Sequence, residues 1–357
     1  MNIVHLITTI ERGGAENQLL ILCQEQIKIG NRLTVFYLKG RPELEETLSK
    51  IGVWSGKVVG NSLLTQIFSF KKDLNRIKPD VVHAHLPRSE LVAALSKTKF
   101  PLVISRHNAE KFFNSAPSFF SSFLARFTSK HSDSGIAISK SVRDFLFESN
   151  EVARGKDFHI VMYGYPFINI HKRLAKTMNP AKYQFLTIGR LVPQKDYPTL
   201  LKGLSLLAAQ KTQFDLSILG EGEKKSELEK LSYELDLESR INWIGKVADT
   251  SHFYSTSDLF ILSSKYEGFG MVLVEAMDRS LPIVCANSPA AREVLGEHYP
   301  GFFEIGNPQD LAQKVSWALN NLDLLVKALS ERKSFFTAPH MAQEIQKIYE
   351  SIQKSKL

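Results

Sequence analysis

An apolar strand followed by a helix recurs along almost the whole 357-residue chain, and this rhythm restricts the fold more than any other feature. Strands are predicted at Asn2–Thr9, Leu33–Leu38, Val58–Val59, Val81–Ala84, Leu102–Ser105, Gly135–Ile138 and Phe158–Met162. Between them lie a helix opened by Gly13-Gly14 and helices over Glu43–Ile51, Leu63–Ile77, Ser89–Lys97 and Lys140–Glu148. Strands that are nearly all apolar are buried on both faces, as in a parallel sheet covered by its crossover helices. The rhythm breaks at Gly164–Pro180, which contains two prolines, and restarts at Tyr183–Ile188. It then runs through helix Tyr197–Gln210, strand Phe214–Leu219, helix Lys224–Leu235, strand Arg240–Trp243 and helix Asp249–Thr256. Strand Leu259–Leu262, helix Met271–Arg279 and strand Pro282–Cys285 follow. Helices Pro308–Leu322 and Leu324–Phe335 come next, and an amphipathic helix covers Met341–Lys354.

The pattern predicts two Rossmann-like α/β domains, residues 1–166 and 181–335, facing across a cleft with ligands at the carboxyl ends of the strands. A chain of 357 residues is comfortable for two cores. The net charge of +8 points to an anionic partner, but the basic residues are scattered without a run of five, which argues against a nucleic-acid arm. Cys23 and Cys285 lie far apart within apolar runs and read as buried thiols of a reducing compartment. Met1–Ile10 lacks the basic n-region and cleavage site of a signal peptide, and no window of about 18 apolar residues is present. A cytoplasmic protein is expected.

Asp258–Glu293 carries the most chemistry. After its first strand the chain turns through Ser263–Phe269, and the amides of Phe269, Gly270 and Met271 fall where a helix begins. Unsatisfied N–H groups at a helix start favour anions. Glu267 lies in the turn, and Glu275 stands on a largely apolar helix, where an acid wants a specific partner such as ribose hydroxyls. Amides for phosphate beside acids for hydroxyls suit a sugar nucleotide. The loop Ile188–Lys195 offers Arg190 and Lys195, a fork and a point charge that together can neutralise a diphosphate. Glycine turns at Gly13-Gly14 and at Gly220 also follow strands, although a Gly-Gly turn alone is more often a plain connection. His83 and His85, two apart on a strand, face one side, but no nearby cysteine or acid completes a zinc site. His107 follows a strand at its carboxyl end and is the better candidate to touch substrate.

The stretch EGFGMVLVE, Glu267–Glu275, has the E-x7-E spacing of the retaining family 4 glycosyltransferases of GT-B fold, and the chain resembles that family elsewhere. The supporting stretches are GGAE at 13–16, DVVHAHL at 80–86, GRLVPQKDYPTLL at 189–201, LGEGE at 219–223 and WIGKV at 243–247. The resemblance implies that Arg190 and Lys195 hold a donor diphosphate and that the amides of Phe269, Gly270 and Met271 bind phosphate and sugar. It implies Glu275 on the ribose, Glu267 on the transferred hexose, and Lys246 and Val247 beside the base. Gly14 would close on the diphosphate, His107 would lie near the acceptor, and the helix within residues 336–357 would pack back on the first domain. The expected activity is transfer of a hexose or N-acetylhexosamine from a nucleotide-sugar co-substrate, UDP-linked by first expectation, to a growing surface glycan or lipid-linked saccharide. The chain has no Asp-x-Asp, so no metal or other cofactor is expected. The competing readings are a GT-B nucleotide-sugar epimerase and a catalytically silent sugar-nucleotide or glycan-binding subunit. A dinucleotide-dependent dehydrogenase is disfavoured because neither half has G-x-G-x-x-G after its first strand.

Three departures stand out: Ser280 where the family usually has glycine, Ser288–Ala291 in place of a glycine-rich turn, and Tyr163-Gly164 where Asn-Gly is common. Lys111–Lys130 holds six phenylalanines with basic residues at both ends. A core-packed helix is the expected reading. The rival reading is an exposed apolar face lying on an anionic membrane, a peripheral attachment.

Overall fold

The computed structural model describes the chain except for residues 97–98, 114–115, 168–180, 248 and 357; most of the predicted break at 164–180 therefore lies outside the described residues. The chain divides into two units, Met1–Pro166 with Phe336–Leu357, and Phe167–Phe335. The first contains β1 (Asn2–Ile7), α1 (Gly14–Lys28), β2 (Arg32–Tyr37), α2 (Glu45–Lys50), β3 (Trp54–Lys57), α3 (Leu63–Ile77) and β4 (Val81–His85). It continues with α4 (Pro87–Leu95), β5 (Leu102–Arg106), α5 (Ser118–His131), β6 (Ser134–Ala137), α6 (Lys140–Glu148) and β7 (Phe158–Ile160). These strands form a seven-stranded sheet, β3-β2-β1-β4-β5-β6-β7.

The second unit contains β8 (Tyr183–Ile188), α7 (Tyr197–Ala209), β9 (Phe214–Leu219), α8 (Lys225–Glu234), β10 (Ile241–Gly245), α9 (Ser251–Thr256) and β11 (Leu259–Leu262). α10 (Met271–Asp278), β12 (Ile283–Ala286), α11 (Pro289–Leu295), β13 (Phe302–Phe303), α12 (Pro308–Leu319) and α13 (Leu322–Arg332) complete it. Its sheet has the order β10-β9-β8-β11-β12-β13, and every pairing in both sheets is parallel. Each unit is a Rossmann-like domain, and the fold is GT-B. The last helix, α14 (Ala338–Lys356), belongs to the first unit and packs on α1.

Burial explains why the central strands form. In β1, alternate residues Ile3 and Ile7 join the core beneath α1 and α14, with Leu19, Leu22, Met341, Ile345 and Tyr349, while Val4 and Leu6 are equally buried on the opposite face. In-register pairing sets His5 beside His83 and Ile7 beside His85, so three imidazoles enter a mostly apolar layer. On the neighbouring strand, Arg106 is buried between Glu90 (2.8 Å) and Glu151 (3.0 Å), with its guanidinium 4.4 Å from the centre of the Phe112 ring. Burial pushes Glu90 up to about 7, so one acid of this trio holds its proton near neutrality.

Two expectations are corrected, and one departure from the family pattern takes a defined shape. The strand predicted at Val58–Val59 falls at Trp54–Lys57, an edge strand whose half-exposed residues carry little of the apolar signal; Val59 is 74% exposed. The departure at Ser288–Ala291 forms the start of α11: Ser288 accepts from the Ala291 amide at 3.3 Å, and Pro289 sits at the first helical position. The phenylalanine-rich segment forms a helix that packs through one face only, and three of its rings stay outside the core. Phe119, Phe120 and Phe123 on α5 are 78%, 46% and 55% exposed, because the buried side of α5 is built from the small residues Ser121, Ala125, Thr128 and Ser129.

Candidate active site

In the second unit the candidate residues gather at the carboxyl ends of adjacent strands: the Arg190–Lys195 loop after β8, Gly220 after β9, Lys246 and Val247 after β10, and Glu267 after β11. The loops are fastened to each other. Ser263 donates to the Lys195 carbonyl at 2.8 Å, the Lys265 amide donates to the Gln194 carbonyl at 2.9 Å, and the Gln194 amide donates to the Tyr266 carbonyl at 2.9 Å. Across this joint Lys195 Nζ lies 2.5 Å from Glu267 Oε1, with both side chains largely shielded. Arg190 and Lys246 are exposed.

Gly220 shapes this corner without presenting a side chain. Its φ is +143°, and a Cβ there would lie 2.0 Å from the Gly189 carbonyl oxygen. Only glycine lets β9 end so close to the Arg190 loop. Gly270, at φ +90°, caps α10 and turns the chain so that the helix starts beside Glu267, with Phe269 buried beneath. One turn along, Glu275 Oε2 accepts from the Tyr254 hydroxyl at 2.8 Å, while burial raises its carboxyl above the usual range. Tyr254 has no signal in the sequence, since its contact depends on how α9 lies against α10.

In the first unit Gly14 opens α1, and a Cβ there would meet open space. Sterics of the fold do not demand this glycine. Nearby, Thr9 donates to Glu16 at 2.6 Å. His107 follows β5, partly exposed, and both of its ring nitrogens are engaged: Nδ1 with the Tyr163 hydroxyl and Nε2 with His85 Nδ1 at 3.3 Å. His83 and His85 do face one side, their ring centres 4.0 Å apart. Sequence reasoning left out the third member: donor atoms of His5, His83 and His85 lie within 4.8 Å of one another. No signal in the sequence marks it, because the pairing of His5 with His83 depends on the register of β1 against β4. Such a set could hold a transition metal, but its nitrogens are already in hydrogen bonds and it contains no carboxylate to offset a buried dication.

The residues of Gly14 and His107 thus belong to one unit, and those of Arg190, Lys195, Gly220, Lys246, Val247, Glu267, Phe269, Gly270, Met271 and Glu275 to the other. Comparison with known proteins matches both. The family profile "Glycosyltransferase Family 4" covers residues 12–161, and "Glycosyl transferases group 1" covers residues 170–333. An uncharacterized glycosyltransferase of Haemophilus influenzae is 30% identical over 175 residues, 48% of each chain. The N-acetylgalactosamine-N,N'-diacetylbacillosaminyl-diphospho-undecaprenol 4-alpha-N-acetylgalactosaminyltransferase of Campylobacter jejuni is 32% identical over 149 residues, 41% of this chain and 40% of that one. The chain thus spans under half the length of these two relatives. Among solved structures, Anabaena HepE in complex with UDP superposes with a TM-score of 0.80 at 20% identity, covering 98% of this chain and 100% of that one.

Proposed function

The chain belongs to the group 1 and family 4 glycosyltransferases, and from that premise we propose that it moves a hexose or N-acetylhexosamine from a UDP-sugar to a growing surface glycan or lipid-linked saccharide, with retention at the anomeric carbon. The observation that carries this reading is the Lys195–Glu267 pair beside the start of α10. A diphosphate that takes Lys195 and Arg190 releases Glu267 to accept from the hydroxyls of the hexose. The amides of Phe269, Gly270 and Met271 add neutral donors aimed at developing phosphate charge, the kind of pre-placed stabilisation that lowers a transition state without reorganisation. Glu275 exchanges Tyr254 for ribose hydroxyls, and Lys246 and Val247 border the base. In this reading residues 181–335 bind the donor and residues 1–166 the acceptor, with Gly14 on the diphosphate and His107 by the acceptor.

Support for the base comes from HepE, which was solved with UDP, and support for a lipid-linked acceptor from the undecaprenol-linked substrate in the Campylobacter enzyme's name. With two cations and helix-start amides on the diphosphate, and no Asp-x-Asp in the sequence, a divalent metal is not required. Among the described residues no helix is long and apolar enough to cross a membrane. We place the protein in the cytoplasm, meeting anionic lipid peripherally through α5.

The test has two stages. Thermal shift with UDP-, GDP- and ADP-sugars selects the donor, since ligand that binds the native state raises its stability. Transfer from that donor to octyl glycosides of glucose, galactose, mannose and N-acetylglucosamine selects an acceptor. Lys195→Ala and Glu267→Ala are each expected to lower kcat/KM by about 100-fold or more. Unchanged transfer in both variants would sink the proposal, and donor conversion without any acceptor would favour an epimerase.

A further inference from the structure

His107 is the end of a longer chain of hydrogen bonds in the first unit. Gln26 Oε1 meets His5 Nε2 at 2.8 Å, His5 Nδ1 meets His85 Nε2 at 3.1 Å, and His85 Nδ1 meets His107 Nε2 at 3.3 Å. His107 Nδ1 closes on the Tyr163 hydroxyl. A neutral imidazole has one N–H and one lone pair. The chain can therefore be polarised in only two directions, and its members reverse together.

Gln26 selects the direction, because its amide oxygen only accepts. His5 must donate from Nε2 and accept at Nδ1 from the N–H of His85 Nε2. His85 Nδ1 then accepts from His107 Nε2, which leaves His107 Nδ1 to take the Tyr163 proton. The Gln26 amide is oriented in turn: its Nε2 donates to the Tyr349 hydroxyl at 3.4 Å, Tyr349 donates to His83 Nδ1 at 2.6 Å, and His83 Nε2 donates to Ser105 at 2.7 Å. This branch agrees with the main chain at every bond.

Burial keeps the rings uncharged. It lowers His5 to about 4 and His107 to about 3, the latter also repelled by Arg106, and it holds His83 and His85 well below the usual range. The groups packed around them, Cys23, Tyr163 and Tyr349, are pushed up by burial and stay protonated. The far end at Gln26 is a buried amide that neither supplies nor removes a proton. Such a chain transmits orientation, not charge. The cavity bordered by His83, His85, His107 and Tyr163 is about 20 Å³, room for a water but not for a sugar ring, so His5 and His85 can act only through His107.

Resting on the reading of His107 as an acceptor-side group, we propose that Gln26, His5 and His85 are positioning residues that hold His107 in the Nε2–H tautomer, with its ring fixed as a wall beside the acceptor. With both ring nitrogens engaged, His107 meets the acceptor through the edge and face of its ring and does not deprotonate it.

Long-range ¹H–¹⁵N spectra of the full chain labelled with ¹⁵N-histidine, taken from pH 8 to 5, test the tautomer without any substrate. His107, assigned by loss of its signals in His107→Gln, is expected to show a protonated Nε2 and a bare Nδ1 at every pH. A protonated Nδ1 in the wild type overturns the proposal, and this result needs no variant to fold. Gln26→Leu removes the terminal acceptor and should mix the two tautomers, while Gln26→Glu, whose carboxylate also accepts, should restore Nε2–H. With the donor and octyl glycoside chosen above, acceptor KM should rise about tenfold in Gln26→Leu and recover in Gln26→Glu, with donor KM unchanged. An unmixed tautomer in Gln26→Leu refutes the chain. Mixed tautomers with an unchanged acceptor KM refute the positioning role. If the wild type uses no donor, the glycosyl-transfer reading is what fails, and the spectra still report on the tautomer.

Discussion

Ser280 shows what a single residue costs in the second unit. It follows α10 with φ +52°, and the turn is a Schellman motif in which the Leu281 amide donates to the Ala276 carbonyl at 2.9 Å and the Ser280 amide to Met277 at 3.0 Å. A side chain in this conformation costs about 1–2 kcal/mol, and glycine gives back about 0.5–1 kcal/mol through its unfolded-state freedom. Strain wins by a small margin. Ser280→Gly should therefore raise stability by about 0.5–1 kcal/mol in urea unfolding and leave transfer unchanged. A lower urea midpoint would show that the serine makes up for its backbone in some other way. The site residues divide similarly into legible and hidden. Lys195 and Glu267 could be picked from the sequence because each lies in a loop between an apolar strand and a helix, and Glu267 stands eight residues before Glu275. Tyr254 and His5 could not, since one depends on a helix–helix angle and the other on strand register.

At the scale of elements, α5 decides between two uses of a phenylalanine-rich helix. One face is small and buried, the other exposes Phe119, Phe120 and Phe123, and residues 111–131 contain Lys111, Arg126, Lys130 and His131 but no acid. Rings flanked by cations and free of carboxylates match the boundary layer of an anionic bilayer. Phe112, by contrast, is fixed under Arg106 and fastens the segment to the Glu90–Glu151 trio, so substitutions on the outer face should leave the fold intact. We expect the wild type to co-sediment with phosphatidylglycerol-containing liposomes and the Phe119→Ser/Phe120→Ser variant to stay in the supernatant. Equal pelleting would exclude α5 as the attachment. Periodicity placed a helix in most of the right places, because central parallel strands and their crossovers alternate sharply in burial. It could not say which side of α5 is covered. It also misplaced β3 at the sheet edge, where one face and one neighbour suffice.

For the molecule as a whole, the buried histidines predict how stability follows pH. In the folded chain His5 and His107 titrate at about 4 and about 3, and His83 and His85 well below the ordinary value of 6.5. Below about pH 6.5 the unfolded chain takes up protons that the folded chain refuses, so stability falls on acidification, from about pH 6.5 towards the folded values. Each fully refused proton removes about 1.4 kcal/mol per pH unit. Urea midpoints should drop steeply between pH 6.5 and 5, and His83→Asn should shallow the slope. A flat profile across that interval would mean the imidazoles are not held neutral.

The placement of α14 reaches beyond equilibrium. Its Tyr349 seals the histidine layer, and Gln346 accepts from Asn31 at 3.0 Å, yet residues 167–335 come between this helix and the sheet it completes. During synthesis the second unit can finish while the first sheet still lacks one of its covers. At about 5–20 residues per second, that layer of Ile3, Ile7 and Leu22 waits on the order of ten seconds or more for its lid. A nascent chain stalled before residue 336 would present an oily, histidine-studded slab to whatever chaperone meets it first.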